Sequence, residues 1–193
     1  MRRALVVVVC GVLAGCGGER QDADEPSGEF KVEIVRASFP ARQHIAQDVK
    51  LRLRVRNGSD RTLRTVAVTV ETKPRGSAAP IAFGQASVAA DLADPGRPVW
   101  VLDEGPKGGT TAYVNTWLAG TLRAGESREL TWRLVATRAG TYTVSYRVAP
   151  GLTGKAEAAA GGRTSGTFDV TIDGEPVPAR VGDDGSVERG ASN

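Results

Sequence analysis

The sequence predicts an all-β fold in which two antiparallel sheets pack as a sandwich. Three observations support this prediction. Apolar residues alternate with polar ones in several separate runs, which is the period of a strand with one buried face. Glycine-rich and asparagine-rich turns separate these runs. Between residues 30 and 193 no stretch shows the period of an amphipathic helix.

The clearest alternation lies near residue 50, after a first strand that begins at Val32. In a strand, every second residue points to the same face, so this run has one apolar and one basic face. A turn follows at 57–60, and a further apolar alternation begins at Val66. The apolar residues of the central run are Val49, Leu51, Leu53 and Val55, and the basic residues between them are Lys50, Arg52, Arg54 and Arg56.

Three later runs complete the predicted sandwich, at 130–134, 142–148 and 168–172. The second of these begins with Tyr142, just after the turn at Ala139-Gly140. This is the kind of place where sandwich folds keep a corner tyrosine. Trp132 belongs to an alternating run and is therefore expected in the core.

The middle of the chain, about 73–121, is predicted to be a long insertion. It is rich in Gly, Ala and Ser and has prolines at 74, 80 and 95, although 98–104 and 112–118 have the character of strands. Ligand-binding residues often lie on loops that a rigid scaffold holds in place, so this insertion is expected to form the surface that determines binding specificity. Trp117 borders it and is the tryptophan expected to be exposed.

Several of these segments resemble the immunoglobulin-like repeats of bacterial surface proteins, including the CARDB-type adhesion modules. The matching pieces are the run 49–58 with 66–70, the turn 122–127 with Trp132, and the strand 139–144. The resemblance implies an immunoglobulin-like antiparallel β-sandwich with a long mid-domain insertion. It covers about two thirds of the chain after residue 15 and departs at 73–121. Its motifs indicate a fold and supply no catalytic residue.

The first sixteen residues have the pattern of an export signal. Met1-Arg2-Arg3 is followed by an apolar run at 4–12 and then by Leu13-Ala14-Gly15-Cys16. The last four residues resemble the lipobox of bacterial lipoproteins. The resemblance implies that residues 1–15 are a signal peptide and that Cys16 carries lipid. It thereby implies an exported protein that is anchored to the outer face of the cell membrane by lipid on Cys16.

The polar composition after Cys16 predicts a flexible tether over 16–29, because this segment has no large apolar side chain that could be buried in a core. The sandwich is then expected over 30–173. Residues 174–193 form a polar extension, in which 177–181 and 186–189 are candidate strands of a short hairpin.

Composition excludes several classes of function. Cys10 falls within the signal and Cys16 is the predicted lipid site, so the domain has no thiol for a disulfide, a soft metal or nucleophilic catalysis. Arg2 and Arg3 also leave with the signal, which reduces the formal charge of +3 to +1. Such a balance lacks the basic surplus of a nucleic-acid-binding protein. The expected partners are the membrane, through the lipid, and a protein or a cell-wall component.

No residue pattern indicates a catalytic, cofactor or metal site. His44, the one histidine, lies in an apparent connection between strands. The acidic pairs at 103–104, 173–175 and 183–184 lack the spacing of a calcium loop and are interpreted as solvated turns. The basic row of the central run is interpreted as a solvated strand face balanced by Glu71 or Glu129. Contact of this row with anionic headgroups or an acidic wall polymer is the alternative.

The sequence therefore predicts a lipid-anchored, extracytoplasmic binding or structural module of the bacterial envelope that is not an enzyme. Two alternatives remain. One is an envelope enzyme acting on carbohydrates through carboxylates such as Asp103 and Glu104. The other is an adhesion module in which calcium joins acidic loops.

Overall fold

The computed structural model describes residues 25–73, 83–85, 98–176, 178–181, 183 and 187–189. These residues contain strands and no helix. In chain order the strands are β1 Gly28–Phe30, β2 Val32–Ser38, β3 Arg42–Ile45, β4 Asp48–Asn57, β5 Leu63–Lys73, β6 Gly84–Gln85, β7 Trp100–Lys107, β8 Thr110–Tyr113, β9 Thr116–Leu122, β10 Ser127–Ala136, β11 Gly140–Ala149, β12 Ala156–Ala158, β13 Ser165–Pro176, β14 Ala179–Val181 and β15 Val187–Arg189.

Two large sheets form the domain and confirm the predicted all-β sandwich. The five-stranded sheet has the order β2-β4-β10-β7-β6, and the six-stranded sheet has the order β3-β13-β11-β5-β9-β8. Most neighbouring strands are antiparallel, as predicted. The exceptions in the described residues are the parallel pairs β3 with β13, β6 with β7, and β1 with β12.

Alternation along the strands builds one core between the sheets. In β4 the burial pattern alternates strictly, with every apolar residue of the run buried and every basic one exposed. On the opposite sheet, the apolar residues of β11 from Tyr142 to Val148 are buried, and the residues between them are exposed or half-buried. Burial of a Val, Leu or Ile side chain contributes roughly 1.5–3 kcal/mol, so this shared core is the main source of stability.

Aromatic rings join the two sheets. Trp132 of β10 meets Trp117 of β9 with 5.3 Å between ring centroids and an interplanar angle of 75°. Trp100 of β7 meets Tyr142 of β11 at 5.7 Å, also edge to face. Edge-to-face contacts of this kind are favourable beyond the area that they bury. The expectation that Trp117 is exposed is wrong, because it fills the core from β9 and is 4% exposed.

The turn after β4 differs from the tight hairpin that the Asn57-Gly58 pair suggests. β4 and β5 belong to different sheets, and neither residue has a positive φ. The buried Asn57 amide instead donates hydrogen bonds to the carbonyls of Arg61, at 2.7 Å, and Leu122, at 3.0 Å. Its oxygen accepts from the backbone N–H of Ser59. The Asn57 side chain therefore fixes the crossing from one sheet to the other.

The middle segment contributes to the sandwich as well as to its surface. β7 pairs with β10 in the five-stranded sheet, and β9 pairs with β5 in the six-stranded sheet. β7 lies within 73–121 and β9 ends one residue beyond it, and Trp100 and Trp117 enter the core from these strands. Residues 74–82 and 86–97 of the predicted insertion lie outside the described residues.

The domain begins earlier than the sequence predicted. Residues 25–29 were expected in the tether, but Glu25 is buried and β1 pairs with β12. A carboxylate whose charge is matched by backbone N–H groups can be buried in this way, and composition alone does not show such partners. At the other end, β14 pairs with β15 antiparallel at the place where the sequence predicts a hairpin.

Tyr142 has the contact expected of a corner tyrosine. Its hydroxyl donates a 2.8 Å hydrogen bond to the carbonyl of Ala139, three residues upstream. Burial raises the pKa of this hydroxyl, against an opposing effect of Arg138. The contact fixes the turn that leads into β11.

The described residues contain no helical segment that is both long and apolar enough to cross a bilayer. The predicted signal peptide at 1–15 and the predicted lipid site Cys16 lie outside the residues that the structure describes.

The tryptophans provide a matched test of the buried hydrogen bonds. The Nε1 of Trp100 donates a 2.7 Å bond to the buried Gln43 side chain, whereas the Nε1 of Trp132 has no partner in the described part of the chain. Both rings are fully buried. We expect Trp100→Phe to lower the free energy of unfolding by about 1–2 kcal/mol more than Trp132→Phe, because it leaves the Gln43 oxygen unpaired. Denaturant unfolding of both variants measures the difference, and equal losses would contradict it.

Candidate functional site

The six-stranded sheet presents a groove on its outer face. Its floor comes from β5, β9 and β11, one wall is the β8–β9 turn, and the other wall is the loop after β11. The volume is about 360 Å³, which lies at the lower end of the range for ligand pockets. The lining residues are Ala67, Thr69, Tyr113, Thr116, Arg147, Ala149, Gly151, Leu152, Gly154 and Ala156.

Strand register places four polar residues in one row across the outer face of the sheet. Thr116 of β9 pairs with Thr69 of β5, Thr69 pairs with Arg147 of β11, and Arg147 pairs with Ser165 of β13. Because neighbouring strands lie 4.7–4.9 Å apart, this row spans about 14 Å. The hydroxyls of Thr69 and Thr116 are 3.1 Å apart and share a hydrogen bond. The sheet thus fixes the spacing of polar groups that come from four different strands.

A second cavity of about 270 Å³ continues the groove toward β13. It shares Thr69 and Arg147 with the first cavity and adds Glu71, Ser145 and Thr167 to the lining. Register again aligns these three residues across β5, β11 and β13. The combined surface offers several hydroxyls, one cation and one anion, which suits a polar ligand that forms many hydrogen bonds.

The β8–β9 turn raises two apolar side chains beside the floor. Tyr113 is 58% exposed and Val114 is 84% exposed. The turn continues into Asn115, which has a φ of 64°, and the carbonyl of Asn115 accepts a 2.9 Å hydrogen bond from the backbone N–H of Val70. An exposed tyrosine on a fixed turn provides a flat ring and a hydroxyl at the rim, and both are common in binding surfaces.

The opposite wall is held in place by Glu25. Its carboxylate accepts hydrogen bonds from the backbone N–H groups of Leu152, at 2.7 Å, Thr153, at 3.0 Å, and Ala156, at 3.4 Å. Burial raises the pKa of Glu25, but these hydrogen bonds outweigh it, so the pKa lies below its usual value. The residue that begins the described domain therefore shapes one wall of the groove.

The candidate catalytic and metal-binding residues of the sequence lie away from this groove. His44 is in the edge strand β3, and not in a connection, with its backbone N–H bonded to the side chain of Gln47. Asp103 and Glu104 lie on β7, in the other sheet. The Arg133 side chain lies 3.8 Å from Asp103 and 3.7 Å from Glu104, so both carboxylates are ion-paired.

The other acidic pairs also remain apart. Asp173 lies on β13 and accepts a hydrogen bond from the backbone N–H of Glu175, as in a turn. Asp183 is exposed, and Asp184 lies outside the described residues. Within the described part of the chain, no three His, Cys, Asp or Glu side chains come together to hold a metal ion.

Most of the groove is not predictable from the sequence alone. Tyr113 and Thr116 do come from the segment that was expected to carry specificity, but Thr69 and Arg147 come from strands on either side of it. Those residues share a row only through pairing between β5, β9 and β11. The alternation predicts that their side chains point outward, but it does not predict which strands are neighbours.

No family model matches this chain, and no curated protein matches its sequence. Among solved structures, it is similar to the CARDB domain of the PF1109 protein from Pyrococcus furiosus, crystallised in complex with di-metal ions. The identity is 16% and the TM-score is 0.46 over 76% of this chain and 94% of that one. It is also similar to a cohesin module from a family 33 glycoside hydrolase of Clostridium perfringens, with 8% identity and a TM-score of 0.44 over 76% and 98% of the two chains. A PapD-like domain of human CEP192 has 12% identity and a TM-score of 0.40, over 92% and 100%.

The Glu25 contact predicts a pH-dependent stability. Because the pKa of Glu25 is lower in the folded state, its contribution is complete above the unfolded pKa and is lost as the pH falls through the folded pKa. At about pH 7 we expect Glu25→Gln to lower the free energy of unfolding by about 1–2 kcal/mol, since the amide cannot match three N–H donors. The difference from the original protein shrinks below about pH 4.

Denaturant titration at several pH values measures this difference. Glu29→Gln is the matched control, because Glu29 is an exposed carboxylate in the same segment. A gap between Glu25→Gln and the original protein that stays constant down to about pH 3 would show that the ionised carboxylate does not hold the loop.

Proposed function

We propose that the protein is a lipid-anchored, extracytoplasmic binding module of the bacterial envelope and that the groove over β5, β9 and β11 binds its ligand. The observation that supports binding is the row Thr116, Thr69, Arg147 and Ser165 beneath the exposed Tyr113. Hydrogen-bonding groups held at fixed spacing on a sheet require little reordering when a ligand binds, which favours affinity.

The ligand is polar and extended. The two cavities adjoin through Thr69 and Arg147, so one ligand can contact both. Arg147 is exposed and no carboxylate lies within ion-pair distance of it in the described part of the chain, so it is available to an anionic or hydroxyl group. Tyr113 contributes an apolar ring surface at the rim of the same groove.

The proposed role is binding without catalysis. Hydrolysis of a glycosidic bond by carboxylates requires a pair on either side of the bond. The lining of the two cavities contains one carboxylate, Glu71, and no histidine or cysteine. Asp103 and Glu104 are paired with Arg133 on the other sheet, at a distance from the groove that the intervening core enforces.

Anchoring is proposed through lipid on Cys16 after removal of residues 1–15, on the outer face of the cell membrane. Two acyl chains hold a protein stably on a bilayer, whereas one chain holds it marginally. Nine residue steps separate Cys16 from Glu25, and a chain of that length spans at most about 30 Å. The domain would therefore stay close to the membrane.

A single experiment in cells tests anchoring and binding together. A photoreactive amino acid replaces Tyr113 at the rim of the groove or, as a control, Arg123 in an exposed turn away from it. Each variant is made with and without Cys16→Ser, and a palmitate analogue reports acylation. We expect labelling with the palmitate analogue only with Cys16 present, and a discrete photoadduct from position 113 but not from position 123.

The two parts of the proposal fail separately. Labelling that persists in Cys16→Ser would overturn the lipid anchor and leave the groove unaffected. Equal adducts from positions 113 and 123, or none from position 113, would overturn the groove as the binding site and leave the anchor unaffected.

A further inference from the structure

The outer face of the five-stranded sheet carries a basic row along β4. Lys50, Arg52, Arg54 and Arg56 are all exposed, and the alternating residues of β4 are buried in the core. Successive residues on one face of a strand lie about 6.6 Å apart, so the row extends about 20 Å. It lies on the opposite side of the sandwich from the groove, because β4 and β5 belong to different sheets.

A β-bulge adds a further cation to this row. Val32 and Ile34 of β2 are buried, and strict alternation would turn Arg36 toward the core as well. The pairing of β2 with β4 shifts register between Ile34 and Arg36, so that Arg36 is exposed and directly opposite Arg54. Bulges commonly redirect a side chain in this way. Val35, at the bulge, is 45% exposed beside the row.

The neighbouring strands do not fully balance the row. Lys50 stands opposite Arg133 of β10, and Arg54 stands opposite Arg36 of β2. Like charges directly opposite each other destabilise a sheet, so a purely structural face would favour carboxylates at these places. Glu71, which the sequence suggested as a counter-charge, lies on β5 in the other sheet and cannot serve.

Three carboxylates on this face are paired with Arg56 or Arg133. Glu33 pairs with Arg56 at 3.5 Å, and Asp103 and Glu104 pair with Arg133. Glu129 is directly opposite Arg54, and Asp48 lies at the end of β4. In the described residues no carboxylate lies within 4.0 Å of the side-chain nitrogens of three cations on this face, Arg36, Lys50 and Arg52.

We infer that this basic face, defined by Arg36, Lys50, Arg52 and Arg54, docks on an anionic bilayer surface. The inference rests on the proposed lipid anchor for its position. The described chain begins at Glu25 and runs through β1 into β2, which is the strand beside β4. With at most about 30 Å of chain back to Cys16, an anchor at that residue keeps the basic face within reach of the headgroups.

The docked face and the lipid make two separate contributions to membrane binding. One acyl chain with a basic patch holds a protein more firmly than the chain alone. Each Lys or Arg near an anionic bilayer raises the partition constant about fivefold, and carboxylates on the same face offset part of this gain. Docking would also orient the domain, with the groove of the six-stranded sheet directed away from the bilayer.

Vesicle binding without the lipid tests this inference independently of the anchor. The mature chain, residues 16–193, carries Cys16→Ser and is sedimented with vesicles of phosphatidylcholine alone or with phosphatidylglycerol. We expect binding only to the anionic vesicles, weakening as salt rises. Replacing Arg36, Lys50, Arg52 and Arg54 by glutamine should lower the partition constant at least tenfold.

The matched control replaces four other exposed cations by glutamine and removes the same charge. They are Arg42, Arg123, Arg138 and Lys155. This variant should keep its partition constant within about threefold of the unmodified protein. Because removal of four charges from one sheet can affect folding, melting is measured for each variant, and the single change Arg52→Glu provides a milder test with an expected loss of fivefold or more.

Three results would overturn the inference. Equal binding to neutral and anionic vesicles would show that binding does not depend on electrostatic attraction. Equal losses of the partition constant in the two quadruple variants would show that binding depends on the net charge of the protein and not on this face. Binding to a soluble anionic glycerol-phosphate polymer without binding to vesicles would assign the face to a wall polymer. Loss of palmitate labelling in Cys16→Ser bears only on the lipid anchor, so the failure of one proposal is distinguishable from that of the other.

Discussion

The packing of the two inner sheet faces against each other, with Trp117 and Trp132 in contact between them, is the constraint on which the rest of the structure depends. Once the alternating apolar residues of β4, β10, β5 and β11 enter one core, the residues between them have no position except the two outer faces. The chemistry of each outer face is therefore the chemistry of the residues that alternate with the core. The groove and the basic face both follow from this single arrangement.

The two outer faces differ in kind. The six-stranded sheet exposes hydroxyl side chains around Arg147, and Thr141 and Thr143 continue the pattern beyond the groove. The five-stranded sheet exposes guanidinium and ammonium groups along β4. A core about 10 Å thick separates the sheets. A domain with one face suited to anionic headgroups and the other to a polar ligand can use both at once only if they point in opposite directions, as they do here.

Two local features, a β-bulge and a buried carboxylate, modify this simple arrangement. The bulge at Val35 turns Arg36 outward, opposite Arg54, and so concentrates charge where alternation alone would not. The Glu25 carboxylate gathers the N–H groups of the loop after β11 and fixes one wall of the groove. Each lies near the start of the domain, next to the segment that leads back to Cys16. The entry of the chain is thus linked structurally to both faces.

The sequence predicted the strands well because alternation is a local property, visible in runs such as Val49 to Val55 and Tyr142 to Val148. It could not predict which strands are neighbours, since that depends on contacts between distant residues. For this reason the turn at Asn57 resembled a hairpin although its strands belong to different sheets. For the same reason, the sequence alone does not predict the row from Thr116 to Ser165. Glu25 resembled a solvated tether residue, because its partners lie more than 120 positions away.

In the inferred orientation, the sandwich lies with its basic face on the membrane and its groove directed outward. Energy transfer tests it most directly, from a fluorophore on the acylated protein to acceptors on the headgroups of anionic vesicles. The fluorophore is attached through Thr131→Cys, on the basic side opposite Arg52, or through Thr167→Cys, in the groove. We expect clearly stronger transfer from position 131. Equal transfer from the two positions, or stronger transfer from position 167, would contradict it.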